Sequence, residues 1–180
     1  MNAKIDISNV ILETERLKLR SWSLDDLADF NEYASVDGVG QMAGWLPHKD
    51  LEESREILNM FIAHKKTFAL EYNGKAIGSL GIEEYDEKVL PEYDEKLGRE
   101  IGYVLSKDYW GMGLMPEAVK AVIKYLFEDV KLDFIICNHY TDNDRSKRVK
   151  EKCGFRNLKL IQIKTQYGAD KDKWISMLER

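Results

Sequence analysis

Two glycines around one methionine, Gly111-Met112-Gly113, stand just before a long helical run and are the residues of this chain best suited to hold an anion. Glycine admits a positive backbone φ and lets another molecule approach the main chain closely. The first turn of a helix adds unpaired N–H groups and the positive end of the macrodipole. The stretch from Tyr109 to Phe127 offers both. Pro116 suits the first helical turn, where its missing N–H costs no intrahelical bond, and Glu117 suits the dipole. From Leu114 onward, Ala118, Val119, Val122, Ile123, Leu126 and Phe127 recur at helical spacing, with Lys120, Lys124 and Glu128 between them. The turn is not one of the commoner nucleotide loops: Gly-x-x-x-x-Gly-Lys-Ser/Thr is absent, and the third glycine of the dinucleotide fingerprint is missing. Two further groups could do chemistry nearby. Glu100 lies in the strand leading to the turn, and Asn143, Ser146 and Lys150 share one face of a later helix.

The elements that must position these residues are legible in order. Residues 1 to 10 read as an arm before a domain of residues 11 to 180. Alternation predicts a strand from Leu12 to Trp22. Ser23, with Asp26 three residues on, caps a helix bearing Leu27, Phe30 and Tyr33, and a loop follows from Val36 to Lys49. A second helix begins near Leu51. Asn73-Gly74 joins two strands, Phe68–Tyr72 and Ala76–Tyr85, and is the strongest hairpin signal in the chain. Gly78 and Gly81 imply a bulge or a close backbone approach within the second of these. Asp86 to Lys96 reads as an exposed acidic loop. A strand to Leu105 precedes the central helix, and the apolar run Leu132–Cys137 reads as a strand covered on both faces. Asn143 stands at the start of a short helix that Gly154 ends, and strands are predicted over 158–166 and 173–179. The result is a mixed α/β single domain.

Composition narrows the function. At 180 residues and 44% hydrophobic, the chain can bury one sizeable core. A net charge of −5, with acidic residues spread along the chain, argues against general nucleic-acid binding and is compatible with a cationic amine substrate. The two cysteines have neither the number nor the spacing of a disulfide framework or a zinc site. The amino terminus lacks a signal-peptide core, and no segment approaches the roughly 18 apolar residues of a membrane span. The expectation is a cytoplasmic protein that binds no metal. Trp174 and Ile175 read equally as a homodimer contact or as burial in the last strand.

The segment EIGYVLSKDYWGMGLMPEAV, Glu100 to Val119, resembles the acetyl-CoA-binding motif of the GNAT N-acetyltransferase superfamily, in particular its ribosomal-protein N-acetyltransferase-like branch. Three other stretches agree: Thr14 to Arg20 with the branch's opening strand, Gly44-Trp45-Leu46-Pro47 with its substrate-side loop, and Asn143-x-x-Ser146 through Phe155 with its closing helix and turn. The resemblance implies a central mixed, mostly antiparallel sheet of about seven strands flanked by about four helices. Two parallel strands, Gly98–Leu105 and Leu132–Cys137, are expected to splay into an acetyl-CoA cleft.

What the resemblance implies for residues follows from the match. Acetyl-CoA, as cosubstrate, would meet Tyr103, Val104, Leu105, Trp110, Gly111, Met112, Gly113, Leu114, Met115, Asn143 and Ser146. Met115 departs from the Gly or Ala usual there and either crowds the phosphate or points into the core. Trp110 either contacts the cofactor or packs under the turn. Glu100 is the expected base, its alternative being a structural carboxylate paired with Arg99, Arg16 or Arg20, with Glu83 and Glu84 next in line. Lys150 stands where many members carry an acidic Tyr, so Ser146 is the expected hydrogen-bond partner of the thiolate. Trp45, His48 and Tyr85 are the expected acceptor contacts. The implied activity is transfer of an acetyl group to a primary amine, on a protein N-terminus or a small molecule, by direct transfer in a ternary complex. The alternatives are a non-catalytic acyl-CoA-binding module and, more remotely, a nucleotide-binding domain.

Overall fold

The computed structural model describes residues 1–180 as a nine-stranded sheet with helices on both faces. Residues Leu12–Glu13 (β1) and Lys18–Ser21 (β2) pair antiparallel, so the single strand expected over Leu12 to Trp22 is two strands around a turn. Thr14 closes that turn: its N–H donates to the Leu17 carbonyl at 2.9 Å, and its Oγ1 accepts from the Leu17 N–H at 2.9 Å. After Ser23, whose N–H donates to the Asp26 carboxylate at 2.9 Å, comes α1, Leu27–Ala34. Then comes α2, Leu51–His64, capped by the Asp50 carboxylate. Thr67–Tyr72 (β3) and Lys75–Glu83 (β4) form the expected hairpin. Asn73 and Gly74 both take positive φ, 50° and 79°, the conformation a two-residue turn between twisted strands requires. At Gly78 a Cβ would lie 2.4 Å from the Val104 carbonyl oxygen, so the glycine there serves a close approach between strands.

Gly98–Leu105 (β5) and Phe134–Cys137 (β6) are the one parallel pair of the sheet, joined through α3, Leu114–Glu128. His139–Tyr140 (β7), α4 (Asp144–Lys152), Arg156–Lys164 (β8) and Asp170–Glu179 (β9) complete the chain. The sheet runs β1-β2-β3-β4-β5-β6-β9-β7, with β8 on β9. It has two strands more than expected because the first strand is split and β7 is too short to read from sequence.

The helical spacing after Gly113 has its expected consequence, with Leu114, Ala118, Val119, Val122 and Leu126 fully buried against Ile101, Leu105, Ile135 and Cys137. Val149, Cys153 and Phe155, at α4 and its end, join that cluster, so α3 and α4 share one face. α1 and α2 pack on the other, with Phe30, Tyr33 and Leu58 against Ala69 and Ala76.

Two expectations are corrected, and one open reading is decided. Residues 1 to 10 are not a free arm: Ile7 is fully buried in the main core, and the Ala3 carbonyl accepts from Arg99 Nε at 2.6 Å. The Asp86–Lys96 segment is anchored by Leu90, 2% exposed, among Tyr85, Phe134 and Met177, so its apolar residue outweighs its acidic surroundings. Ile175 is buried inside the sheet, which removes it as a surface contact. No helix is long and apolar enough to cross a membrane, and no cluster of three His, Cys, Asp or Glu could hold a metal ion.

Gly98 faces Phe134 across the parallel pair, where a Cβ would stand 2.2 Å from the ring. Phe134 is itself held by Tyr85 and Tyr93 at 5.3 and 5.0 Å, so it has nowhere to go. Gly98→Ala is therefore expected to destabilise the fold by about 1–3 kcal/mol through overpacking, read as a lower urea midpoint.

A candidate acyl-transfer cleft through the sheet

The β5–β6 ladder ends at Ile101 and Cys137, after only four residues. Beyond that point β5 still pairs with β4 as far as Leu105, while the chain after β6 turns to pair with β9 as β7. One edge of Gly102–Leu105 is thus left without a strand partner. The opening is a cavity of about 450 Å³. The turn, β5, α4 and the loop before α2 all border it.

The Gly-rich turn has the predicted geometry. Gly111 and Gly113 take φ of 80° and 78°, and α3 begins at Leu114. The first donor tied into the helix is the Glu117 N–H, to the Gly113 carbonyl at 3.3 Å, so the donors of Met112 through Met115 are left for a ligand. Met115 is 5% exposed and lies in the core cluster, which resolves its two readings in favour of the core. Met112, 42% exposed, contributes backbone only and does not line the cavity. Trp110 Nε1 donates to the Leu105 carbonyl at 2.8 Å, and its ring lines the cleft under the Arg145 guanidinium at 3.9 Å.

A clasp holds this turn in place. Glu117 accepts from Thr14 Oγ1 at 2.6 Å, from the Arg16 N–H at 2.9 Å and from Arg16 Nε at 2.8 Å, while Arg16 Nη1 donates to the Met112 carbonyl at 2.9 Å. Burial pushes the Glu117 carboxyl up, but the bonds from Thr14 and Arg16 outweigh it and hold the pKa below the ordinary value. The β1–β2 turn, α3 and the Gly-rich loop are thereby one unit.

The cleft passes between two faces of the sheet. On the α4 face, Asn143 Oδ1 caps α4 by accepting from the Ser146 N–H at 3.1 Å, and Ser146 Oγ lies 2.9 Å from Tyr103 Oη. Burial holds the Tyr103 phenol well above its usual pKa, so it stays protonated. His139 lines the same opening with an unpartnered Nδ1. Burial, reinforced by Lys150 and Lys147, lowers its pKa to about 4, so the imidazole is neutral at neutral pH. Lys150 is turned away, its ammonium donating to Ser176 Oγ, and burial lowers it to about 8. It does not line the cleft. Burial raises the Cys137 and Cys153 thiols to about 12 and about 11, which leaves neither as a nucleophile.

On the opposite face stands Glu100. Burial pushes its carboxyl above the ordinary value, Lys173 and the Asn138 amide pull it down, and Glu83 adds to the rise. The structural pairings considered for it are taken elsewhere: Arg16 by Glu117, Arg20 by Asp26 and Glu71, Arg99 by Glu84. Glu83 pairs with Lys66.

The three expected acceptor contacts lie outside the cleft. Tyr85 is 3% exposed, and its hydroxyl accepts from the Met1 ammonium at 2.8 Å. His48 Nδ1 is 2.8 Å from Ser54 Oγ, and its ring packs on Phe30 and Trp45. Trp45 lies across Gly40, where a Cβ would be 2.1 Å from its ring. These aromatics shape the loop, and the loop's Val39, Met42 and Ala43 roof the cavity, tied to α4 by Asn143 Nδ2 to the Met42 carbonyl at 3.4 Å. Sequence reading passed over Asn138, His139, Lys173 and Arg145 as lining residues. The end of the β6 apolar run marks the first two, but nothing local marks Lys173, which arrives through β9.

The family model described as an acetyltransferase (GNAT) domain matches residues 16–156. The chain is 32% identical over 153 residues to the uncharacterized N-acetyltransferase YoaA of Bacillus subtilis (strain 168), covering 81% of this chain and 82% of that one. The crystal structure of an acetyltransferase (GNAT family) from Bacillus anthracis superposes with a TM-score of 0.82 at 25% identity, over 94% of this chain and 98% of that one. Mycobacterium smegmatis RimJ in complex with CoA-disulfide shares the fold, with a TM-score of 0.72 at 20% identity over 94% and 86%.

Loss of the clasp should loosen the turn without touching its donors. Glu117→Ala is expected to weaken acyl-CoA binding by about 3–10-fold, the size of one or two charge-assisted hydrogen bonds in a half-exposed site. Calorimetric titration measures it, and unchanged affinity would mean that the loop holds its shape unaided.

Proposed function

Because the chain belongs to the acetyltransferase (GNAT) domain family and is an acetyltransferase, we propose that it moves the acetyl group of acetyl-CoA directly to a primary amine in a ternary complex. The acceptor amine belongs to a protein N-terminus or a small molecule. The observation that carries this reading is the through-sheet cleft, with a hydroxyl pair on one face and a carboxylate of raised pKa on the other. The pyrophosphate takes the free N–H groups at the start of α3. The amides of the pantetheine arm pair with the bare edge of β5, whose backbone groups have no strand partner on that side. These are main-chain contacts, which explains how Met112 and Leu114 are tolerated in the turn.

Transfer needs a neutral nucleophile, a polarised carbonyl and a proton for the thiolate. The amine nitrogen attacks the thioester carbonyl carbon, the C–N bond forms and the C–S bond breaks. Glu100 takes the proton the nitrogen sheds, directly or through water, and its raised pKa makes it a stronger base than an exposed carboxylate. The departing sulfur accepts a hydrogen bond from the Ser146–Tyr103 hydroxyl pair, which relays to it a proton that water replaces. Tyr103, kept protonated by burial, is always available as a hydrogen-bond donor to the sulfur or to Ser146 Oγ, although burial makes it no stronger an acid.

The pH dependence has a definite sign. A base with a raised pKa carries its proton below that value, so kcat/KM falls on the acid side through a pKa above the ordinary glutamate range. Glu100→Gln is expected to lower kcat by about 100-fold and to remove that acid limb. A variant that keeps both would place the base elsewhere. Ser146→Ala is expected to lower kcat by less than about tenfold, since Tyr103 remains. An unchanged turnover number would exclude Ser146 from proton return.

A further inference from the structure

The charges of the cleft divide by face. Arg145, Arg148 and Lys152 stand on α4, beside the turn that offers its N–H groups to phosphate. On the opposite face the lining holds one carboxylate, Glu100, and one ammonium, Lys173. Lys173 occupies β9 two residues before Ile175, and Glu100 pairs in register with Ile136, so both side chains project where Ile136, Ile175 and Met177 form the core of that face. Asn138, whose amide acts on Glu100, lines the same opening, and its Oδ1 lacks any hydrogen-bond partner. Lys173 is near enough to act on Glu100 but is in ion-pair contact with no carboxylate. Val39, Met42 and Ala43 close this end with an apolar roof.

An acceptor fits this arrangement if it has an ammonium or amine at one pole, an anion at the other and an apolar body. We propose that the acceptor is an amine bearing a carboxylate, of the α-amino-acid class, with its nitrogen between Glu100 and Asn138 Oδ1, its carboxylate on Lys173 and its side chain under Val39 and Met42. This assignment rests on the transferase reading. A polyamine is a poor match, because each further ammonium needs another carboxylate. Glu83 is tied to Lys66, and the acidic segment of residues 86–95 lies outside the cleft. A peptide N-terminus brings no anion to Lys173.

The test compares L-leucine, L-leucinamide, isoamylamine, spermidine and a leucyl tripeptide as acceptors, reading free-thiol release from acetyl-CoA and correcting kcat/KM for the fraction of neutral amine. Leucine is expected to exceed leucinamide and isoamylamine by about tenfold, the size of one charge-assisted hydrogen bond. The leucine-to-leucinamide ratio should fall to about one in Lys173→Ala and persist in Lys173→Arg. Parity of leucine with leucinamide, spermidine or the tripeptide in the unaltered enzyme would overturn the assignment, as would an equal loss for every acceptor in Lys173→Ala. No turnover with any amine, while acetyl-CoA still binds, would remove the transferase reading and this assignment with it.

Discussion

The early end of the β5–β6 ladder is the constraint from which the rest of the molecule follows. Parallel strands are normally covered on both faces and paired along their length. Here β6 gives way to β7, which pairs with β9, and the edge of Gly102–Leu105 is left bare. An unpaired strand edge is a template for another extended chain, and the neighbouring elements satisfy only part of it. Trp110 takes the Leu105 carbonyl. The remainder forms a slot whose mouth faces the start of α3. The loop before α2 then spans it from the other side through Asn143 and Met42.

Burial around this slot decides which groups carry charge. The same low-dielectric surroundings raise Glu100, keep Tyr103 protonated, neutralise His139 and lower Lys150. Each shift acts against the charged form. A carboxylate with one unshared ammonium nearby is thus isolated on one face, and a pair of neutral hydroxyls on the other. Separation of base and acid by the thickness of a sheet suits a reaction in which a proton leaves nitrogen on one side and returns to sulfur on the other. The clasp of Glu117 on Thr14 and Arg16 is the mechanical complement, because it fixes the start of α3, the proposed place of the phosphates.

Much of this was legible because it is local. The Gly111-Met112-Gly113 turn, the helix after it, the Asn73-Gly74 hairpin and the Asn143 cap each depend on residues within one turn of one another, and each stands where its sequence signals put it. The failures are non-local. Tyr85 is drawn into the core by Phe134 and the amino terminus, which lie on either side of it and far from it in the chain. Trp45 and His48 are drawn into the α1–α2 layer by Phe30, Gly40 and Ser54. Lys173 reaches the cleft only through strand pairing, which no spacing rule encodes. The split of the first strand turns on Thr14, whose hydroxyl competes with the ladder for the backbone.

The measurement that reaches the central claim most directly is a calorimetric comparison of acetyl-CoA, CoA, ATP and NAD with the intact protein. Binding of acetyl-CoA and CoA in the micromolar range, with ATP and NAD much weaker, is expected if the bare edge of β5 receives the pantetheine arm while the α3 N-terminus receives the phosphates. ATP bound as tightly as CoA would contradict it, since the slot would then contribute nothing beyond a phosphate site.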